Sequence, residues 1–150
     1  MTTTLRDASA TIYQQLLDDC IDDPFNLPEA RLFIVADTGK VEIIRRGGDV
    51  YRLLEYLPLM TNIVGDAPII GIETCGWARP INEDGDVNMS GAKVRARLVV
   101  LVDRALQLGT TCGIQGDDDV LSEVGEPTGM LATAMVGAMA AVNTIQARLR

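Results

Sequence analysis

KVRARLVVLVD, residues 93–103, carries the clearest strand signal in the chain. Lys93, Arg95 and Arg97 alternate with Val94, Ala96 and Leu98, the two-residue period of a strand whose faces meet different surroundings, and the alternation then gives way to the solid run Val99-Val100-Leu101-Val102. Immediately upstream, Ala67 to Ile81 is strand-like around IIGIETCGWA, and the two segments are predicted to pair. Asn82 to Ala92, rich in Gly, Asp and Asn, is then the loop that joins them. Downstream, a further strand is expected around Gly109 to Gln115, entered through a tight turn at Leu108-Gly109, and the glycines of GTTCGIQG read as turn glycines.

Working outward, RLFIVA (31–36) and VEIIRR (41–46) are two short apolar runs separated by Asp37-Thr38-Gly39-Lys40, which supplies the glycine a tight reversal commonly requires. This predicts a hairpin. Gly47-Gly48 ends it, and Asp49 is placed to cap a short helix with Val50, Leu53, Leu54 and Leu57 facing inward before Pro58. At the start of the chain, Thr4 and Asp7 resemble a capping arrangement. Leu5, Ile12, Leu16, Leu17, Cys20 and Ile21 then recur at three- and four-residue intervals, so a helix with one apolar stripe is expected up to Pro24. At the other end, Pro127 suits a first helical turn and Leu131, Met135, Met139, Val142, Ile145 and Leu149 make a second stripe. Ala134, Gly137, Ala138 and Ala141 add small residues three and four apart, which allow another backbone to approach. This last helix is therefore expected to be covered by the sheet on one side and by the first helix or a second subunit on the other.

The fold class so predicted is α+β: one domain over residues 1–150, with a single antiparallel sheet of about five strands packed with three helices in the order α-β-β-α-β-β-β-α. A chain of 150 residues can bury roughly 68–70% of its unfolded surface. Its 47% apolar and 23% charged residues are those of a globular domain, while aromatics, at 4%, are too few to build the core, which falls to Leu, Ile, Val, Ala and Met.

Charge and residue type exclude more chemistry than they suggest. Thirteen basic against 21 acidic residues give a net charge of −8, which repels polyanions, so nucleic acid is not an expected partner. Cys20, Cys75 and Cys112 are odd in number and widely spaced, which fits a reducing cytoplasm better than a disulfide framework. MTTTLRDASATIY lacks the pattern of a secretory signal, and TGMLATAMVGAMAAV (128–142) reads as a buried helix too short for a bilayer of about 20 residues' span, so no membrane partner is expected. The chain holds no histidine, which removes Ser-His-Asp and Cys-His catalysis and His-ligated zinc. No phosphate-binding glycine motif is present, and Asp117-Asp118-Asp119 with Glu123 lacks the spacing of a calcium loop, so it reads as a solvated acidic loop. Cys75 and Cys112 read as small buried hydrophobes. No cofactor and no metal is expected.

The order of elements resembles the roadblock and profilin-like group, in which an antiparallel sheet carries helices on its faces. The Arg/Ala/Val/Asp-rich style of GWARPINEDGD (76–86) and VRARLVVLVD (94–103) is similar to that of small uncharacterised proteins of actinobacteria or their phages. Neither resemblance transfers a catalytic residue. The functional expectation is a non-enzymatic protein-interaction or regulatory domain that self-associates as a homodimer through Ala134, Gly137, Ala138 and Ala141. Trp77, at the exit of its strand, either closes the core or anchors a partner. With Arg79 and with a basic strip of Arg95, Arg97 and Arg45 on neighbouring strands, it forms the candidate surface for an acidic partner or anionic ligand. The alternatives are a small-ligand or nucleotide sensor, with Trp77 as lid and Arg79 or Arg97 as anchor of a pocket between sheet and helices, and, last, an enzyme working through carboxylates such as Glu73 or Asp103.

Overall fold

The computed structural model describes residues 5–18, 23–78, 94–115, 120–125 and 129–149. Along the chain these form α1 (Leu5–Asp18), β1 (Ala30–Val35), β2 (Val41–Gly47), α2 (Val50–Tyr56), a 3-10 turn (Leu57–Leu59), α3 (Thr61–Val64), β3 (Ile69–Ala78), β4 (Val94–Asp103), β5 (Leu108–Ile114), β6 (Val120–Gly125) and α4 (Gly129–Arg148). The α+β class is as the pattern predicts. Two elements are additional: α3, a single turn after Pro58, and β6, whose VLSEVG follows the acidic stretch.

All strands pair antiparallel in one six-stranded sheet of order β2-β1-β3-β4-β5-β6. The predicted pairing of the two long central strands is its spine, in register from Ile69 with Asp103 to Ala78 with Val94. The run Val99 to Val102 shows no alternation because both of its faces are covered. Val100 and Val102 join Leu32, Ile34, Ile70 and Ile72 under α2 and α4, whereas Val99 and Leu101 join Phe33 and Val35 under α1. The result is a three-layer arrangement in which the helices are staggered. On one face α1 packs on β4, β5 and β6; on the other, α2 packs on β1 and β2 while α4 packs on β4 and on the helices before it.

Turn chemistry follows the expected rules at the hairpin and the cap. Gly39 holds a φ of 86° in the β1–β2 turn, and the Asp49 carboxylate accepts from the backbone N–H groups of Tyr51 at 3.0 Å and Arg52 at 3.4 Å. The β4–β5 reversal lies earlier than expected, at Asp103–Gln107 rather than Leu108-Gly109. The Asp103 carboxylate accepts from the N–H of Gln107 at 2.9 Å, and Leu106 takes a left-handed φ of 68°. No glycine marks this turn, so the nearest glycine attracts the prediction.

That glycine does something else. Gly109, Thr111 and Gly113 all lie inside β5, opposite Leu101, Val99 and Arg97, and so point at α1. A Cβ on Gly109 would sit 2.5 Å from the Leu5 carbonyl oxygen, which means that the helix backbone rests directly on the strand. About one turn further along the helix, the buried hydroxyls of Ser9 and Thr111 hydrogen-bond at 2.7 Å. Gly109 permits close approach of helix to sheet, and both Gly109 and Gly113 lie within the strand, which corrects their reading as turn residues. Gly71 serves the same face: a Cβ there would meet the Phe33 ring at 2.3 Å, so the ring lies across the strand.

The apolar stripes are met in part. Ile12, Tyr13 and Leu16 of α1 are buried, and so are Met135, Met139 and Val142 of α4, but Leu149 is 73% exposed and falls outside the core. Thr4, Cys20, Ile21 and Pro127 lie outside the described residues.

Candidate functional site

Among the described residues Arg97 is the largest fully buried side chain. Its neighbours follow from register. Arg31 of β1 stands opposite Glu73 of β3, and Arg97 stands two pairs along on β4, on the same face, so the Glu73 carboxylate is gripped by both guanidiniums, Oε1 by Arg31 and Oε2 by Arg97. From above, α1 lays the Tyr13 ring 4.3 Å from the Arg97 guanidinium, and the Tyr13 carbonyl accepts from Arg97 Nη1 at 3.1 Å. Two cations share one anion here, and among the described residues Arg97 Nε has no hydrogen-bond partner. The cluster clamps the first helix to three strands. Burial raises the Tyr13 hydroxyl above its ordinary value, with the Arg97 hydrogen bond and charge pulling the other way.

This arrangement dissolves the expected basic strip. Arg97 faces α1 with no exposure, whereas Arg45 lies on the opposite face of the sheet, its guanidinium 3.8 Å from the Tyr56 ring of α2. Nor are their strands neighbours, since β1 and β3 lie between β2 and β4. A bulge between Leu32 and Phe33 shifts the β1–β2 register just beside Arg45. Arg95 is partly buried and donates from Nε to the Phe25 carbonyl at 2.8 Å, holding the segment that leads into β1. Trp77 pairs with Arg95 through the backbone of β3; its side chain and all of Arg79 lie outside the described residues. Glu73, one of the carboxylates considered for catalysis, is completely buried between its arginines.

Cys75 and Cys112 are free and half-buried, and burial pushes both thiols up from the ordinary value, the opposite of what a nucleophile needs. Cys75 Sγ donates to the Pro24 carbonyl at 3.1 Å. Among the described residues no group of three or more His, Cys, Asp or Glu gathers as a metal site would; Asp117, Asp118 and Asp119 are not among them.

The candidate self-association residues share one stripe of α4 but not one environment. Ala138 is buried in the core, Ala134 packs against it, Ala141 is partly covered, and Gly137 is open to solvent with nothing within 4 Å of a Cβ placed on it. α1 does not cover this helix, being on the other face of the sheet, so one of its two expected covers is excluded. Around Gly137 the outer face carries Met130, Thr133 and Thr144, all exposed, with Met130 at 77%. From Met130 to Arg148 the helix is long and apolar enough to cross a membrane by length and composition, so the predicted shortfall does not hold, although Met135, Ala138, Met139 and Val142 are spent on the core. Its C-terminal end is tied down by Arg104, which donates to Asn143 and Gln146 and to the carbonyls of Gly65 and Ala67.

A groove of about 570 Å³ opens on the α1 face, where the stagger of the helix leaves the ends of β1 and β3 uncovered. Its floor is apolar, from Ala8 and Ile12 on the helix and Val35 and Ile69 on the strands; Thr11 and Gln15 line it from the helix and Asp37 and Asp103 from the strand ends. A pocket between sheet and helices is expected from the sequence, but not this lining, because the offset of α1 is a tertiary fact; Arg97, one of its expected anchors, is buried beneath α1 instead. Comparison with protein-family models, with curated proteins and with solved structures gave no match.

Proposed function

We propose that this protein is a non-enzymatic interaction domain that self-associates through the outer face of α4. The observation that carries the reading is the character of that face. In a chain with 23% charged residues, α4 has none between Gly129 and Ala147, and the side turned to solvent offers methionine, threonine and glycine instead of the lysines and glutamates that usually keep a helix wet. Small residues at 137 and 141 allow two such helices to approach closely, and a twofold contact would bury the same patch on each copy.

Light scattering after size exclusion tests this at micromolar concentration. The expected mass is twice the 16.2 kDa of one chain, and Gly137→Arg, which has open space in the single chain, should restore the monomer mass with an unchanged circular-dichroism spectrum. A wild-type monomer overturns the reading.

The groove beside α1 favours a second reading, a small-ligand sensor domain, since its volume is in the range of small-molecule sites and its apolar floor carries a few polar groups at the rim. Binding of a small molecule detected by amide shifts around that groove tests it.

A further inference from the structure

The ligand-sensor reading leaves open what the groove would hold, and the lining of the groove bears on that. Val35, Ile69 and Asp103 stand side by side in register at the ends of β1, β3 and β4, on the face that α1 overlooks. Asp37, two residues beyond Val35 in the turn, continues the same face, and Gly39 completes the rim. Opposite, the helix contributes Ala8 and Ile12 to the floor and Thr11 and Gln15 to the edge. An apolar trough therefore ends in two carboxylates. Among the described residues that line it, the charged ones are Asp37 and Asp103. They stand at one end, where the strands finish, while the methyl-rich surface runs along the helix.

We infer that this groove takes a small amphipathic organic cation, a primary amine on an apolar body, with the ammonium between Asp37 and Asp103 and the body along Ile12, Val35 and Ile69. The inference rests on the ligand-sensor reading and adds the charge of the ligand to it. Anions, nucleotides included, are disfavoured because their charge would meet the carboxylates of Asp37 and Asp103 on a protein of net charge −8. Neutral ligands of the same shape would gain the apolar contacts and lose the ion pair.

Three probes that differ only in their head group separate these terms: 4-phenylbutylamine, 4-phenylbutanol and 4-phenylbutyrate, titrated into the uniformly ¹⁵N-labelled full chain. The amine should bind at least tenfold more tightly than the carboxylate, with shifts concentrated at the amides of Ile12, Val35 and Ile69. Asp37→Asn, at an exposed turn position, should reduce that preference severalfold, and Thr11→Trp, exposed on the helix and filling the groove from its edge, should abolish binding while the rest of the spectrum stays in place. Equal binding of all three probes overturns the charge inference but leaves a ligand groove. Binding of none overturns both.

Discussion

Glu73 has two cations beside it and no exposed surface. Desolvating an ion is costly, and a buried pair recovers that cost only through close, well-satisfied contacts, so the cluster of Arg31, Glu73 and Arg97 is sensitive to removal of one member and tolerant of removal of all. Taking Glu73 away leaves Arg97, fully buried, facing Arg31 with nothing between them. Glu73→Ala is therefore expected to cost about 3–5 kcal/mol in urea unfolding. The triple replacement Arg31→Met, Glu73→Leu, Arg97→Met should cost much less than that single change, because no charge is stranded. A Glu73→Ala protein of wild-type stability would show that the carboxylate does not hold the arginines down. The sequence disclosed half of this. The alternation of Arg95, Ala96 and Arg97 correctly separates the two faces of β4, but it cannot say that a helix will lie over the charged one. Arg97 reads as solvent-facing because arginine usually is, and the opposing Glu73 lies 24 residues away on another strand, beyond the reach of any local pattern.

At the scale of the element, the position of α1 is set less by its own stripe than by the strand beneath it. Gly109, Thr111 and Gly113 present a shallow surface, and the helix settles until the Leu5 carbonyl touches the strand backbone and Ser9 reaches Thr111. Gly109→Ala places a methyl 2.5 Å from that carbonyl, a backbone atom that can move only if the helix moves. Overpacking of this kind typically costs about 1–3 kcal/mol. The expected result is a loss of that size, with faster hydrogen exchange in α1 and β5 than in β1–β2. Uniform exchange would place the strain elsewhere. For the hydroxyl pair, Ser9→Ala leaves Thr111 without that buried partner and should cost more than the combined Ser9→Ala, Thr111→Val protein. The three longer helices, the hairpin, the cap and the central strands were legible from period and turn residues, whereas the single turn α3 and the strand β6 were not. The misplaced β4–β5 turn has its own cause: a glycine can mark a turn or a contact, and the sequence alone does not distinguish a bend at Gly109 from a helix resting on it. The lining of the groove next to α1 was illegible for a like reason, since it depends on how far the helix is set across the sheet.

At the scale of the molecule, the chain separates an acidic exterior from an interior that holds protonated groups in place. Tyr13 is buried and Cys75 and Cys112 are half-buried at the sheet, and burial raises each above its ordinary value. The sign follows directly. A group that binds its proton more tightly folded than unfolded contributes stability fully below its unfolded value, and that contribution is lost as pH climbs toward the folded one, because the unfolded chain deprotonates first. Stability should therefore be level on this account through neutral pH, begin to fall above the ordinary thiol value of 9.0 as the cysteines contribute, and fall further past 10.0 as Tyr13 joins them. Urea midpoints measured at intervals from pH 7 to 11 check the course. In the Cys75→Ala, Cys112→Ala protein the onset should move up toward the tyrosine range, and iodoacetamide should label the folded wild type more slowly at pH 8 than the urea-unfolded chain. Midpoints that stay flat to pH 11, or equal labelling of the two states, would mean that these side chains meet water as freely in the fold as out of it. In that case the contact of α1 with the sheet would not be the shield that the burial of Arg97 and Tyr13 between them makes it.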